Sequence, residues 1–216
     1  MVEALNPDID SKDRQRFETS FKGLDSQKQY CEFHFEEYKK ACQNYDLAMQ
    51  DKLNINAQID PQYYRIAFES HGYAFFRCLH ALIESVPYML NIILQANPDI
   101  EFRHIGWSTL YEYIKNHNFN DGNAVINDIR QSQSYLELEH LVNVSKHRRI
   151  PRIDSCFFKE IVNQYNKPEF SSEDLCIGFR NYNIEYLMIE LYNELFPKTI
   201  SLINCFVSFH SIDKRL

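Results

Sequence analysis

The stretch "IDPQYYRIAFESHGYAFFRCLHALIESVPYMLNIILQANPD", Ile59 to Asp99, decides the fold class. It opens with Asp60 as an N-cap and Pro61 at the first helical position, where a missing amide hydrogen costs nothing. It then runs apolar to Ala96, and Asn97-Pro98-Asp99 stops it. Apolar residues fall on most faces of a 3.6-residue period, so the segment reads as a central core helix. Pro87 is expected to kink it, because proline removes a helix hydrogen bond and clashes with the preceding turn. Its charge-free part "SVPYMLNIILQA", like "TISLINCFVSFHSI" near the C-terminus, is shorter than the roughly 20 residues that cross a bilayer, so no membrane partner is expected.

The flanking sequence is helical too. From Ser11 to about Leu53, Phe17, Phe21, Leu24, Cys31, Tyr38, Cys42, Tyr45 and Met49 recur at threes, fours and sevens, with an interruption expected near Gly23. A shorter helix is predicted over Gly106 to Asn116, followed by a loop at "NFNDGN", with Asp121 or Asn123 capping a helix from about Ala124 to Lys146. Between residues 150 and 180 the period is lost, and "DSCFFKEIVNQY" and "EDLCIGFRN" read as two short strands around "NKPEFSS". Asn183 to Ile212 returns to helix, interrupted at Pro197. The expected fold is all-α: an up-and-down helical bundle, one domain over residues 1–216, with a small β-hairpin or irregular insertion before the C-terminal helix.

Composition narrows the function classes. Thirty acidic against twenty-three basic residues give a net charge of −7, so the chain lacks the electrostatic footprint of a duplex-DNA binder and any nucleic-acid contact must be local. With only five glycines and neither GxGxxG nor GxxxxGK, a Rossmann or P-loop phosphate cradle is excluded. Six widely spread cysteines and the polar opening "MVEALNPDIDSKDRQR" predict reduced thiols and a cytoplasmic location. No cofactor is expected.

Against this acidic background, "NVSKHRRIPR", Asn143 to Arg152, gathers four cationic side chains and a histidine beside a proline. In the preceding helix Ile126, Ile129, Gln133, Leu136, His140, Asn143 and His147 follow at alternating spacings of three and four, one line along one face. That line begins apolar and ends polar, so His140, Asn143 and His147 are expected to turn toward the interior and to need partners there. One reading is structural: cations are favourable at a helix C-terminus by about 0.3–1 kcal/mol each, and Pro151 ends the helix through Ile150. The other is a site, with His147 as a group that titrates near neutral pH and Lys146 and Arg148 holding an anion such as a phosphodiester. A metal is not expected, because His140 and His147 lie two turns apart, roughly 10 Å along the axis.

The run "LVNVSKHRRI", an Asn-x-x-Lys-His-Arg sequence ending a helix in an aromatic-rich helical chain, resembles the HEPN superfamily (higher eukaryotes and prokaryotes nucleotide-binding), in particular its uncharacterised bacterial branches. The resemblance covers the helical frame from Gln62 to Arg149 together with the final helix. It implies a helical bundle that forms homodimers. In active members an arginine and a histidine four to six residues apart meet their symmetry mates and cleave RNA without metal, histidine moving the proton and arginine stabilising phosphate charge. Many members serve toxin–antitoxin or antiphage systems, and others are non-catalytic binding modules.

This chain departs from that pattern. Its Arg-x(4–6)-His match is "RIAFESH", Arg65 to His71, and a chain with eleven arginines and eight histidines yields about one such match by chance. Residues six apart on a regular helix point about 120° away from each other, so a core or helix-end role for both competes with catalysis. No arginine precedes His147 at the required distance, so catalysis there would draw on Arg148, or on Arg65 from elsewhere in the fold or from a second subunit. The catalytic candidates are therefore His147, Arg148 and Lys146, with Asn143, His140, Arg149, Arg65 and His71 as binding candidates. Elsewhere, Glu32, Glu36 and Glu37 around His34 read as an ion-paired surface. Glu137 and His140 have the Glu-x-x-His spacing of di-iron bundles but no second pair, and Ser145 lacks a glycine elbow. The expected function is a HEPN-like bacterial defence or toxin–antitoxin protein acting on RNA or a nucleotide. The alternative is a non-catalytic antitoxin, immunity or sensor subunit that binds a protein partner through its acidic surface.

Overall fold

The computed structural model describes residues 11–53, 60–99, 105–154, 168–175 and 178–213. Helices account for nearly all of them: α1 (Ser11–Leu53), α2 (Pro61–Leu94), α3 (Trp107–His117), α4 (Asn120–Arg130), α5 (Gln133–His147), α6 (Ser172–Leu175) and α7 (Ile184–Asp213). Strands β1 (Ile153–Asp154) and β2 (Glu169–Phe170) pair antiparallel before α7, with Ile153 opposite Phe170 and Asp154 opposite Glu169. The fold is thus all-α with a small hairpin before the C-terminal helix, as the periodicity predicts. Among the described residues, no helix is long and apolar enough to cross a membrane.

The chain divides into two compact units. The first takes in Met1–Lys28, Ala81–Leu136 and Asn193–Leu216. Its core holds Phe17, Leu90, Ile126, Ile129, Leu202 and Phe206. Polar groups inside it are paired. The Glu84 carboxylate accepts hydrogen bonds from the Trp107 indole (2.7 Å) and the Tyr135 hydroxyl (2.6 Å), while the Arg130 guanidinium lies over both rings. Buried Asn91 closes the turn after α2 by accepting from the Asn97 amide (2.7 Å) and donating to the Asn97 carbonyl (3.0 Å).

The second unit takes in Gln29–His80 and Glu137–Tyr192. Tyr38, Phe68, Phe76 and Leu79 from α1 and α2 are buried here with Leu138, Leu141, Leu187 and Met188 from α5 and α7. In both units the α1 contribution follows a strict seven-residue repeat, Phe17, Leu24, Cys31, Tyr38 and Tyr45, all buried. Asp60 caps α2 as expected, its carboxylate accepting from the Gln62 amide (3.0 Å).

Four boundaries differ from the sequence expectation. First, α1 runs through Gly23 and α7 through Pro197 without interruption; α2 also continues through Pro87, where a kink and no break was expected. A mid-helix proline costs about 3 kcal/mol, yet the buried neighbours Val86, Met89 and Leu90, or Leu195, Leu202 and Ile203, contribute about 1.5–3 kcal/mol each and outweigh it. Second, "NFNDGN" is no loop. Asn118 ends α3 in the left-handed conformation (φ 50°), and α4 starts at Asn120 with Phe119 as N-cap, not at Asp121 or Asn123. Third, the helix expected over Ala124 to Lys146 breaks at Gln131-Ser132, where the Ser132 hydroxyl accepts from the Tyr135 amide (3.2 Å) and starts α5. Fourth, the strands sit elsewhere. β2 falls within "NKPEFSS", "EDLCIGFRN" begins as the end of α6, and most of "DSCFFKEIVNQY" lies outside the described residues.

Gly122 explains the second difference. A Cβ there would meet ring carbons of Phe119 at 2.5 and 2.6 Å, and that ring is held by stacking on Phe209 at 3.8 Å and edge contact with Phe206 at 5.1 Å. Gly122→Ala is expected to lower stability by about 1–3 kcal/mol, because the crowded ring has nowhere to retreat. Denaturant unfolding checks this as a lower midpoint with an unchanged slope.

Candidate functional site

The phase of α5 decides which of its residues are available. Ser134, Tyr135, Glu137, Leu138, Leu141, Val142 and Val144 are buried, so the apolar stripe of this helix is not the line read from the sequence. Ile126 and Ile129 are fully buried in α4, but after the break at Gln131-Ser132 the remaining members of that line point outward. Gln133, Asn143 and His147 are exposed and Leu136 is 45% exposed, which corrects the expectation that the line turns polar inside the core. His140 alone is half-buried, and its Nε2 donates to the Leu175 carbonyl (2.5 Å). It pins α6 and stands apart from the exposed cluster.

Beyond His147 the backbone is held from α2. Three of its residues on one four-residue spacing, Arg65, Tyr73 and Arg77, each donate to a carbonyl of the 145–153 segment. Arg77 Nη2 reaches Ser145 (3.4 Å), the buried Tyr73 hydroxyl reaches Pro151, and Arg65 Nη2 reaches Ile153 (3.0 Å). A helix C-terminus leaves its last carbonyls without intrahelical partners; Arg77 supplies the one of Ser145, and Tyr73 and Arg65 hold carbonyls of the chain beyond the helix. Burial pushes the Tyr73 hydroxyl pKa up, so it stays a neutral donor.

The cations of "SKHRRIPR" divide into two groups. Arg149 donates to the Asp174 carbonyl (2.7 Å) with its Nε 3.7 Å from the Asp174 carboxylate, and Arg152 pairs with Asp154 (3.0 Å) while its amide donates to Asp174 (2.8 Å). These two are neutralised locally. Asn143, Lys146, His147 and Arg148 are exposed, and among the described residues their side chains have no partner. The arrangement offers exposed cations and one imidazole at a helix end beside which α2 holds the following backbone.

Arg65 and His71 are not brought together. Arg65 pairs with Glu69 (2.8 Å) besides the Ile153 carbonyl, whereas His71 faces α1, its Nδ1 lying 2.9 Å from Nδ1 of His34. Two residues of interest escaped sequence reading. Arg77 carries the signal of a charge in an apolar helix, which also fits a snorkelling stem. The sequence shows His34 only as part of an ion-paired surface, since its partner lies 37 residues away.

The remaining candidates have structural roles. Glu36 and Glu37 pair with Lys39 (3.5 Å) and Lys40 (2.6 Å), as expected for a solvated surface. Glu137 is fully buried and accepts from the Arg180 amide (2.8 Å) and guanidinium (3.4 Å), which places it in a structural ion pair. Ser145 donates to the Val142 carbonyl (3.0 Å). Burial pushes the Cys42 thiol up to about 12 and raises Cys31, Cys78 and Cys205, so these four stay protonated at neutral pH. Among the described residues no group of three or more His, Cys, Asp or Glu side chains is placed to hold a metal ion.

Tyr73→Phe is expected to cost about 1–2 kcal/mol, since it leaves the carbonyl of buried Pro151 without its donor while keeping the ring. Urea unfolding checks the loss, and amide exchange near residue 153 should quicken if the contact holds this segment. Comparison with known proteins finds no matching family model, no matching curated protein and no matching solved structure, so the chemistry of the site rests on its own geometry.

Proposed function

We propose that this chain is a HEPN-like protein of a bacterial defence or toxin–antitoxin system, cytoplasmic and homodimeric, that engages single-stranded RNA through the end of α5. One observation carries the reading. In a chain of net charge −7, Lys146, His147 and Arg148 stand exposed and unpartnered among the described residues, with Asn143 one turn earlier and Arg77 beside them on α2. Successive helix positions fan out by about 100°, so these groups suit a run of backbone phosphates better than a single anion. Arginine offers a fork for phosphate oxygens, lysine a point charge, and asparagine both a donor and an acceptor for a base or ribose.

Binding is better supported than cleavage. Arg65 is engaged by Glu69 and Ile153 and His71 by His34, so within one protomer the spaced Arg–His pair is not assembled. Cleavage through His147 would require an arginine from a second protomer, with histidine as the proton-transfer group. The non-catalytic interaction module draws support from a different observation: Asp174 and Asp154 already neutralise Arg149 and Arg152, so part of the cationic cluster serves the fold.

Anisotropy titrations of labelled single-stranded RNA across a salt series test the proposal. Each phosphate contact on a single strand adds about 0.7 to the slope of log affinity against log salt, so Lys146→Ala, Arg148→Ala and Arg77→Ala should each lower it by about that amount. A parallel cleavage assay in EDTA compares wild type with His147→Ala, with folding checked by circular dichroism. Salt-insensitive or absent RNA binding by folded wild type would overturn the RNA reading and leave the interaction module.

A further inference from the structure

The contact between His34 on α1 and His71 on α2 belongs to no part of the proposed RNA face, and its geometry is specific. The two Nδ1 atoms lie 2.9 Å apart, the ring centroids 5.2 Å apart, and the planes cross at 41°. The centroid separation equals the nitrogen separation plus one ring radius at each end. Both nitrogens therefore lie on the line joining the ring centres and point directly at one another.

That alignment distinguishes two uses of a histidine pair. Two imidazoles on one metal ion, each nitrogen about 2.0–2.1 Å from it, would at a 2.9 Å nitrogen separation subtend about 90° and bring the ring centres to about 4.5 Å. The observed 5.2 Å is too long for that arrangement. A head-on pair fits a proton on the shared line, with one Nδ1 donating and the other accepting. We infer that His34 and His71 form a proton-sharing pair that fastens α1 to α2 above the imidazole titration range and loosens when both rings are protonated.

The surroundings assign the roles. Glu37 on α1 faces His71 and is itself paired with Lys40 at 2.6 Å. Burial disfavours a charge on His34, which makes His34 the acceptor of the pair. Phe33 lies edge-on to both rings, at 5.3 Å from His34 and 6.1 Å from His71. Beside His71, α7 presents the apolar Ile184 and Met188 against Gly72. Once His71 is charged, a second proton on His34 would place two N–H groups head to head.

Burial, and then the neighbouring His71, lower the His34 pKa below its ordinary 6.5. A group whose folded pKa lies below its unfolded value binds more protons when unfolded, so stability rises with pH. The contribution of His34 is therefore complete above 6.5 and declines as pH falls from 6.5 toward its lowered folded value.

Imidazole Cε1–H resonances of the full-length protein, followed by NMR from pH 8 to 5, test the inference. In wild type the His34 ring should titrate below its ordinary 6.5. In His71→Ala the His34 midpoint should rise toward 6.5. A second variant, His34→Asn, keeps an acceptor near the Nδ1 position without a titrating group. It should flatten the fall in urea midpoint between pH 7 and 5. A His34 midpoint at 6.5, unmoved by replacement of His71, would overturn the inference. So would a matched shift of both resonances on addition of one equivalent of zinc at pH 7.5, which would assign the pair to a metal.

Discussion

The buried face of α2, widest from Phe75 to Leu94, is the constraint on which the rest depends. Phe75, Phe76, Leu79, Leu82, Ile83, Val86, Met89, Leu90, Ile92 and Ile93 are all at most 3% exposed, so its polar positions are few. Each of the polar positions described above has a specific partner. Arg65, Tyr73 and Arg77 donate to the backbone after α5, His71 faces His34, Glu84 gathers an indole and a phenol, and Asn91 closes its own C-terminal turn. A helix buried on most sides can place a polar group only where a partner waits, because an unpaired buried one costs about 1–3 kcal/mol.

The same property made the fold class legible in the sequence. An apolar segment of this length with a cap-proline start has one reading, and the seven-residue repeat of Phe17, Leu24, Cys31, Tyr38 and Tyr45 has one as well. What stayed hidden was phase. The line from Ile126 to His147 is internally consistent on an unbroken helix, and only the Ser132 cap shows that two helices share it. Once the chain restarts, Tyr135, Leu138, Leu141 and Val142 choose the buried face, and a polar-ended stripe becomes the solvent side. Ser132, a favoured N-cap residue three before Tyr135, was the available signal. The strands were misplaced for a related reason: two-residue strands carry too little alternation for period two to register, and Phe170 is set in place by Tyr73 and Phe76 from α2.

The basic run was legible as a stretch of sequence and illegible as a charge distribution. "SKHRRIPR" reads as uniformly basic, yet Asp174, twenty-two residues beyond Arg152, accepts its amide and stands beside Arg149. Tertiary pairing removes two cations and leaves Lys146, His147 and Arg148. Arg65 and His71 show the opposite error. Their spacing matches a catalytic pattern that chance also produces, and a regular helix sends the two side chains to different neighbours.

A helix C-terminus is an unpromising place to receive a phosphate, since its orphan carbonyls carry partial negative charge. The cations at the end of α5 could for that reason be spent on the helix itself. Here the donors from α2 change the balance. Arg77 donates to the Ser145 carbonyl in the last turn, and Tyr73 and Arg65 hold the Pro151 and Ile153 carbonyls beyond it, so the chain that leaves α5 is fastened by donors from α2. The side chains of Lys146, His147 and Arg148 are left to face outward, and a basic run that would otherwise only terminate a helix becomes available to an anion from solution.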